Sequence, residues 1–206
     1  MNITLGEREI RLFLKYLTEL KEWNRRINLT SIKEDREIII RHFLDSLTLS
    51  PFVETTTTRL DIGSGAGFPG IPLKIALPTL EVTLLDSSGK KVAFMRHITR
   101  ALGLKGIKTV RGRAEDPHIQ EGLGTFDVVT TRAFAGLKGF LEMAIPYTRE
   151  GGLILAVKGP KGIEELKGLK GLKGFEFVKV HEVRLPFSNV HTLTLAFKRP
   201  TSRISS

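Results

Sequence analysis

The chain has 206 residues, enough for one well-buried domain with a modest extension and too few for two. Its 41% hydrophobic and 26% charged content is that of a folded globular chain, and the lack of cysteine excludes disulfides, thiolate metal sites and cysteine nucleophiles together. Lys and Arg exceed Asp and Glu by ten, 32 against 22, a surplus that suits a polyanionic partner.

That surplus is unevenly placed. Met1 to Thr58 carries nine basic and nine acidic residues, whereas Ser87 to Ala114 carries eight basic residues and no acidic one. A single-sign stretch on a folded domain builds a field that attracts nucleic acid, although a solvated basic helix face explains it equally well. No apolar run approaches the roughly 18 residues of a membrane span. The opening MNITLGEREI lacks the basic-then-apolar order of a signal peptide, so a cytoplasmic monomer without membrane contact is expected.

In chain order, Ile10, Phe13, Leu14, Leu17 and Leu20 recur at helical spacing, and a second helix is predicted from Asp35 to Leu49, ending before Pro51. Residues 1–54 therefore read as a helical amino-terminal extension, with the main domain over 55–206. After the connector TTTTR, strands are predicted at Arg59–Ile62, Glu81–Leu85, Ile107–Val110, Phe126–Thr130 and Leu153–Val157. Helices are predicted at Pro69–Leu77, Lys90–Leu102 and Leu137–Tyr147. Repeated strand–helix units imply an α/β fold with a mostly parallel sheet covered on both faces. Phe175–Leu185 and Val190–Lys198, joined by PFSN, add an antiparallel pair at one edge. LKGLKGLKG, Leu166 to Gly174, is expected to be a basic surface segment, because glycine at every third position opposes a helix.

The turn Asp61-Ile62-Gly63-Ser64-Gly65-Ala66-Gly67-Phe68-Pro69-Gly70 follows a predicted strand and opens a predicted helix. Gly65, Gly67 and Gly70 fit the dinucleotide fingerprint G-x-G-x-x-G, with Asp86 at the ribose offset. Asp61, Gly63, Gly65 and Gly67 also fit D-x-G-x-G-x-G, the first motif of class I methyltransferases. Charge favours the second reading. A pyrophosphate is anionic and wants free helix amides, whereas Asp61 and the nearby prolines disfavour it. S-adenosylmethionine carries an ammonium and a sulfonium, which a carboxylate attracts. Asp86 then either accepts the ribose hydroxyls or caps the next helix. After the third strand, Ala114 and Glu115 are placed to meet an adenine, or Glu115 and Asp116 start a short helix.

Four stretches carry a more specific likeness: WNRRINLTSI (Trp23–Ile32), RHFLDSL (Arg41–Leu47), DIGSGAGFPGIPL (Asp61–Leu73) and LLDSSGKKVAFMR (Leu84–Arg96). With TRAFAGL (Thr131–Leu137) and VKG (Val157–Gly159), the chain resembles the RsmG/GidB family of bacterial small-subunit ribosomal RNA guanine-N7 methyltransferases. The LKG repeat is not an expected family feature.

The resemblance implies a class I (Rossmann-like) seven-stranded sheet. It also implies S-adenosylmethionine as cofactor, no metal, and methylation of a guanine N7 in the 530-loop region of 16S rRNA or the small subunit. It carries cofactor binding onto Gly63, Phe68, Ala114, Glu115 and Arg132, to which the motif chemistry adds Asp61, Gly65, Gly67 and Asp86. Arg113, Arg132 and Phe134 are candidates for positioning substrate. Guanine N7 bears a lone pair and no proton, so no general base is expected, only placement and electrostatics. His42 and Asp45, three apart on a predicted helix, read as a helix-surface or domain-interface hydrogen bond rather than a metal site, and Trp23 as an anchor for the extension. A protein or small-molecule methyltransferase, a non-catalytic RNA-binding module and a nicotinamide dehydrogenase are the rival readings.

Overall fold

A computed structural model of the protein describes residues 3–53, 57–132, 136–169 and 174–201. Alternation of short apolar runs with helical stretches resolves into seven strands: β1 (Thr58–Ile62), β2 (Glu81–Asp86), β3 (Ile107–Arg111), β4 (Phe126–Thr131), β5 (Thr148–Lys158), β6 (Glu176–Arg184) and β7 (His191–Lys198). They form one sheet in the order β3-β2-β1-β4-β5-β7-β6. The first five are mutually parallel, and β7 pairs antiparallel with both β5 and β6, as the two-strand ending predicts. This is the mostly parallel sheet of a class I methyltransferase.

The period-two pleat sends neighbouring residues to opposite faces. Leu60 and Ile62 face one core with Phe140 and Leu141 of α7 (Leu137–Ala144). Arg59 and Asp61 face the other way, Asp61 accepting from the amide of Gly70 at the start of α4 (Gly70–Ala76), while α5 (Gly89–Ala101) packs on β2 and β3. The helix α1 (Glu7–Asn24) closes that second face. Its Phe13, Tyr16, Leu17 and Leu20 are buried in a cluster that also contains Phe94, Leu84 and Val157, so the extension shares its core with the sheet. Trp23 seats α1 on α5, its ring 5.5 Å from Phe94 and 4.9 Å from His97.

The second helix departs from the expectation of one regular run over Asp35–Leu49. It starts as α2 (Asp35–Ile38), widens into a π-helical turn over Ile39–Leu44, and finishes as α3 (Asp45–Leu47). The amide of Asp45 reaches the carbonyls of Ile40 and His42, passing over that of Arg41, which is taken by a side chain from elsewhere. The short helix α8 (Gly162–Lys167) was not anticipated, whereas α6 (Pro117–Leu123) takes up the alternative in which an acid after the third strand starts a short helix. No residue of α6 is buried, so it has no apolar periodicity to read; Asp116 caps it by accepting from the His118 amide at 2.9 Å. Strand β5 begins at Thr148, five residues before the predicted start, through a polar and glycine-containing stretch. A register shift between Phe126 and Val128 lets it pair with β4. Part of the LKG repeat ends α8, and residues 170–173 of it lie outside the described residues.

Candidate functional site

In an open parallel sheet, ligands bind beyond the carboxyl ends of the strands, where the strand order reverses. Here that point lies between β1 and β4, and the glycine turn leaves β1 there. Gly63 and Ser64 donate their amides to the Leu85 carbonyl at the end of β2, so the turn is tied across the sheet at once. Gly63 has φ +68°, which an L side chain rarely adopts, and a Cβ there would meet nothing within 4 Å. Its open side faces a cleft of about 310 Å³. Gly67 is different. At φ +95°, a Cβ would stand 2.3 Å from Ile71 Cδ1 and 3.1 Å from Tyr16 Oη, so this glycine lets the turn pack against α1.

The cleft brings together Gly63, Asp86, Arg113, Ala114 and Glu115 from the ends of three strands, joined by Lys91. Asp86 shapes the cleft as well as lining it. Its Oδ2 accepts from the Gly65 amide at 2.9 Å and its Oδ1 from the Ser88 amide at 2.8 Å. A carboxylate has about four acceptor sites, so both oxygens retain capacity for a ligand hydroxyl. Ala114 is buried, and its carbonyl accepts from Tyr147 Oη at 2.9 Å, whereas Arg113 and Glu115 are exposed at the rim.

Asp61 does not reach the cleft. It is fully buried on the other side of β1, its Oδ2 accepting from the Gly70 amide at 3.0 Å and its Oδ1 facing Thr130 Oγ1 at 3.3 Å. Burial pushes its carboxyl up to about 7, against the pull of Arg59, and burial draws fully buried Arg59 down to about 10. Arg59, whose Nε and Nη2 donate to Thr130 Oγ1, was not among the residues singled out from the sequence. The signal was a basic residue inside an otherwise apolar strand.

Beyond the glycine turn stands a second wall, built from side chains. Arg132, just past β4, lies over the Phe68 ring at 5.6 Å from its centroid. Its Nη2 donates to the Arg41 carbonyl at 2.6 Å and to His42 Nδ1 at 2.5 Å, and its Nε faces Asp45 Oδ2 at 3.3 Å. Asp45 Oδ1 accepts from the Thr192 hydroxyl, and His42 Nε2 lies 2.7 Å from Thr30 Oγ1. Phe68 is buried between His42, Tyr16 and Phe43. Arg132 Nη1 is buried and has no partner among the described residues.

Of the helix-surface and domain-interface roles expected of His42 and Asp45, the structure shows the second, as the grip on Arg132, while Thr192 gave no local signal. No group of three or more potential metal-ligating side chains occurs among the described residues. Phe134 lies outside them. A larger groove, about 830 Å³, runs beside α1 near Asn28, Thr30 and Lys33, apart from the glycine turn. No described helix is long and apolar enough to cross a membrane.

Comparisons with known proteins show the family and the fold. The family model described as rRNA small subunit methyltransferase G (GidB) matches residues 9–192. The ribosomal RNA small subunit methyltransferase G of Roseiflexus castenholzii is 44% identical over 204 residues, covering 95% of this chain and 86% of that protein. Its namesake in Desulfitobacterium hafniense is 48% identical over 170 residues, 81% and 70% of the two chains. The crystal structure of TrmN from Thermus thermophilus, 20% identical, shares the fold with a TM-score of 0.60 over 75% of this chain and 48% of that one. With a family match over most of its length and a cleft at the motif residues, the chain belongs to the GidB family of rRNA small subunit methyltransferases.

Proposed function

We propose that the protein transfers a methyl group from S-adenosylmethionine to N7 of a guanine in 16S rRNA, in the 530-loop region of the small subunit, acting as a cytoplasmic monomer. The observation that carries this reading is the pairing of an open glycine cleft with a gripped arginine whose Nη1 is unused. When bound, the donor supplies an electrophilic methyl on a sulfonium. Gly63 leaves room for the adenosyl group, Asp86 accepts from the ribose, and the Ala114–Glu115 segment meets the adenine. Asp61 acts from behind, holding the Gly70 amide and so the shape of the turn. Gly65 is tied to Asp86, and Gly67 and Phe68 fix the far side of the turn. Arg132 Nη1 receives the donor's carboxylate, since a buried guanidinium donor without a partner fits an anionic oxygen.

The chemistry asks for nothing the site lacks. Guanine N7 attacks in its unprotonated form, so in-line placement supplies the rate. Arg113 at the rim, with the basic residues of α5, meets RNA phosphates. The experiment is transfer of labelled methyl from S-adenosylmethionine to small subunits and 16S rRNA at rising salt, followed by mapping of the label. Transfer to a guanine N7 that weakens as salt rises is the expected result. Label on an exocyclic amine or a ribose, or transfer confined to proteins or metabolites, would overturn the assignment.

A further inference from the structure

Arg132 is held by a side chain that the methyl-transfer reading leaves without a task. We infer that His42 is a positioning residue: as a neutral imidazole protonated on Nε2, it fixes the Arg132 guanidinium by accepting from Nη2 through its bare Nδ1. The inference rests on the reading of Arg132 as a residue of the methyl-transfer site.

The tautomer follows from donors and acceptors. Arginine is a donor only. One hydrogen of Nη2 goes to the Arg41 carbonyl at 2.6 Å and the other to His42 Nδ1 at 2.5 Å. Nδ1 must then present a lone pair, which leaves the ring proton on Nε2, 2.7 Å from Thr30 Oγ1. That oxygen also accepts from the Ile32 amide at 3.1 Å. The contact of Nδ1 with the Arg41 carbonyl, 3.2 Å, is therefore two acceptors sharing one donor group rather than a bond between them.

The fold is adjusted to produce this arrangement. The π-helical turn makes the Asp45 amide pass over the Arg41 carbonyl, which leaves that oxygen for Arg132. Such turns recur at functional sites. The His42 ring also lies on Phe68, centroids 4.5 Å apart at 21°, which sets the plane in which Nδ1 points. Arg132 faces Asp45 on its Nε side, with Asp61 and the Tyr16 hydroxyl adding to its electrostatic surroundings. Burial, and then the Arg132 charge, pull the imidazole down to about 3, so the ring stays neutral across the working range. With Nε and Nη2 engaged, the guanidinium can turn only by breaking three contacts, and Nη1 is presented in one direction.

Two measurements test this on the full chain. Imidazole ¹⁵N spectra, with His42 assigned against the His42→Asn variant among the five histidines, should show an Nε2–H ring that does not titrate between pH 5 and 8. An Nδ1–H tautomer, or titration near the ordinary histidine value, overturns the inference irrespective of activity. In single-turnover methyl transfer at saturating donor, His42→Phe keeps the stack on Phe68 but removes the acceptor, and should lower the rate by about 10²-fold. His42→Asn restores an acceptor near Nδ1 and should recover at least about tenfold of that loss. Equal rates for the Phe and Asn variants overturn the positioning role. Arg132→Met separates the two readings: if it transfers methyl normally, the role of Arg132 at the site fails, while the spectra still judge the His42 tautomer.

Discussion

The two walls of the site are made differently. The cleft wall is built mostly from backbone: a left-handed glycine, amides tied to the Leu85 carbonyl, and a carboxylate that folds the turn as well as facing the cleft. The Arg132 wall is built from side chains drawn from the loop at Thr30, the π-helical turn, α3, the end of β4 and the start of β7. The first is closed by ties across 21 positions, from Gly65 to Asp86, and the second by contacts spanning up to 147 positions. A backbone-built wall tolerates side-chain change away from its glycines, whereas a side-chain wall fails when any member is lost.

The largest effect should come from the second wall. Arg132→Met leaves Asp45 buried without its cation, which should cost about 3 kcal/mol of stability by urea unfolding. Methyl transfer should also drop by about 10²-fold, because Nη1 no longer places its partner. A variant that loses the stability but keeps full transfer would make this wall architectural and erase the comparison.

Within the glycine turn the two kinds of construction can be told apart by one methyl group. Gly67→Ala adds a left-handed strain and a collision with Ile71, together about 3 kcal/mol of stability. Gly63→Ala carries only the strain, about 1 kcal/mol, but its methyl projects into the cleft and should cost donor affinity selectively. Denaturation and calorimetric titration of both variants decide it; the reverse pattern would mean that the cleft is not the adenosyl site.

Asp86→Asn should weaken donor binding by about tenfold, since an amide loses the charge that strengthens a ribose hydrogen bond, and its one oxygen can still accept from the Gly65 amide only by giving up the Ser88 amide. NAD should remain without measurable affinity in parent and variant alike. An unchanged donor affinity would restrict Asp86 to its local role of tying Gly65 and Ser88.

This division also explains what could be read from the sequence. The strands, the parallel order and the glycine turn were legible because each is written in contiguous periodicity or spacing, and the motif D-x-G-x-G-x-G needs no distant partner. The basic stretch Ser87–Ala114 was legible as charge. The direction of the Asp61 side chain was not, since a strand end can send a carboxylate to either face and the choice depends on Gly70 and Arg59 closing over it. His42 and Asp45 were visible as a pair, but their object was not. Nothing near Arg132 or Thr192 announces a partner 90 or 147 residues away. The π-helical turn was also hidden, because no local proline or glycine marks it and the guanidinium that takes its freed carbonyl comes from just past β4.

The last effect concerns protons, and it tests the side-chain wall without measuring catalysis. In the unfolded chain His42 takes up a proton near 6.5, while in the folded chain burial and Arg132 hold it down to about 3. Between those values the unfolded state binds a proton that the folded state refuses, so folding loses stability as pH falls, and the contribution is complete only above 6.5. Asp61 works the other way: its carboxyl, raised to about 7, favours the folded state at low pH and loses that advantage as pH rises. The parent's own pH profile therefore mixes opposed slopes. Subtracting the profile of His42→Asn cancels the Asp61 contribution and isolates the imidazole. From pH 6 down to 4.5 the parent should lose ground to the variant by up to about 1.4 kcal/mol per pH unit, with no further change above 7. A difference that stays level from pH 4.5 to 8 would mean that the ring is not held neutral, and that Arg132 owes its orientation to Asp45 and the Arg41 carbonyl alone.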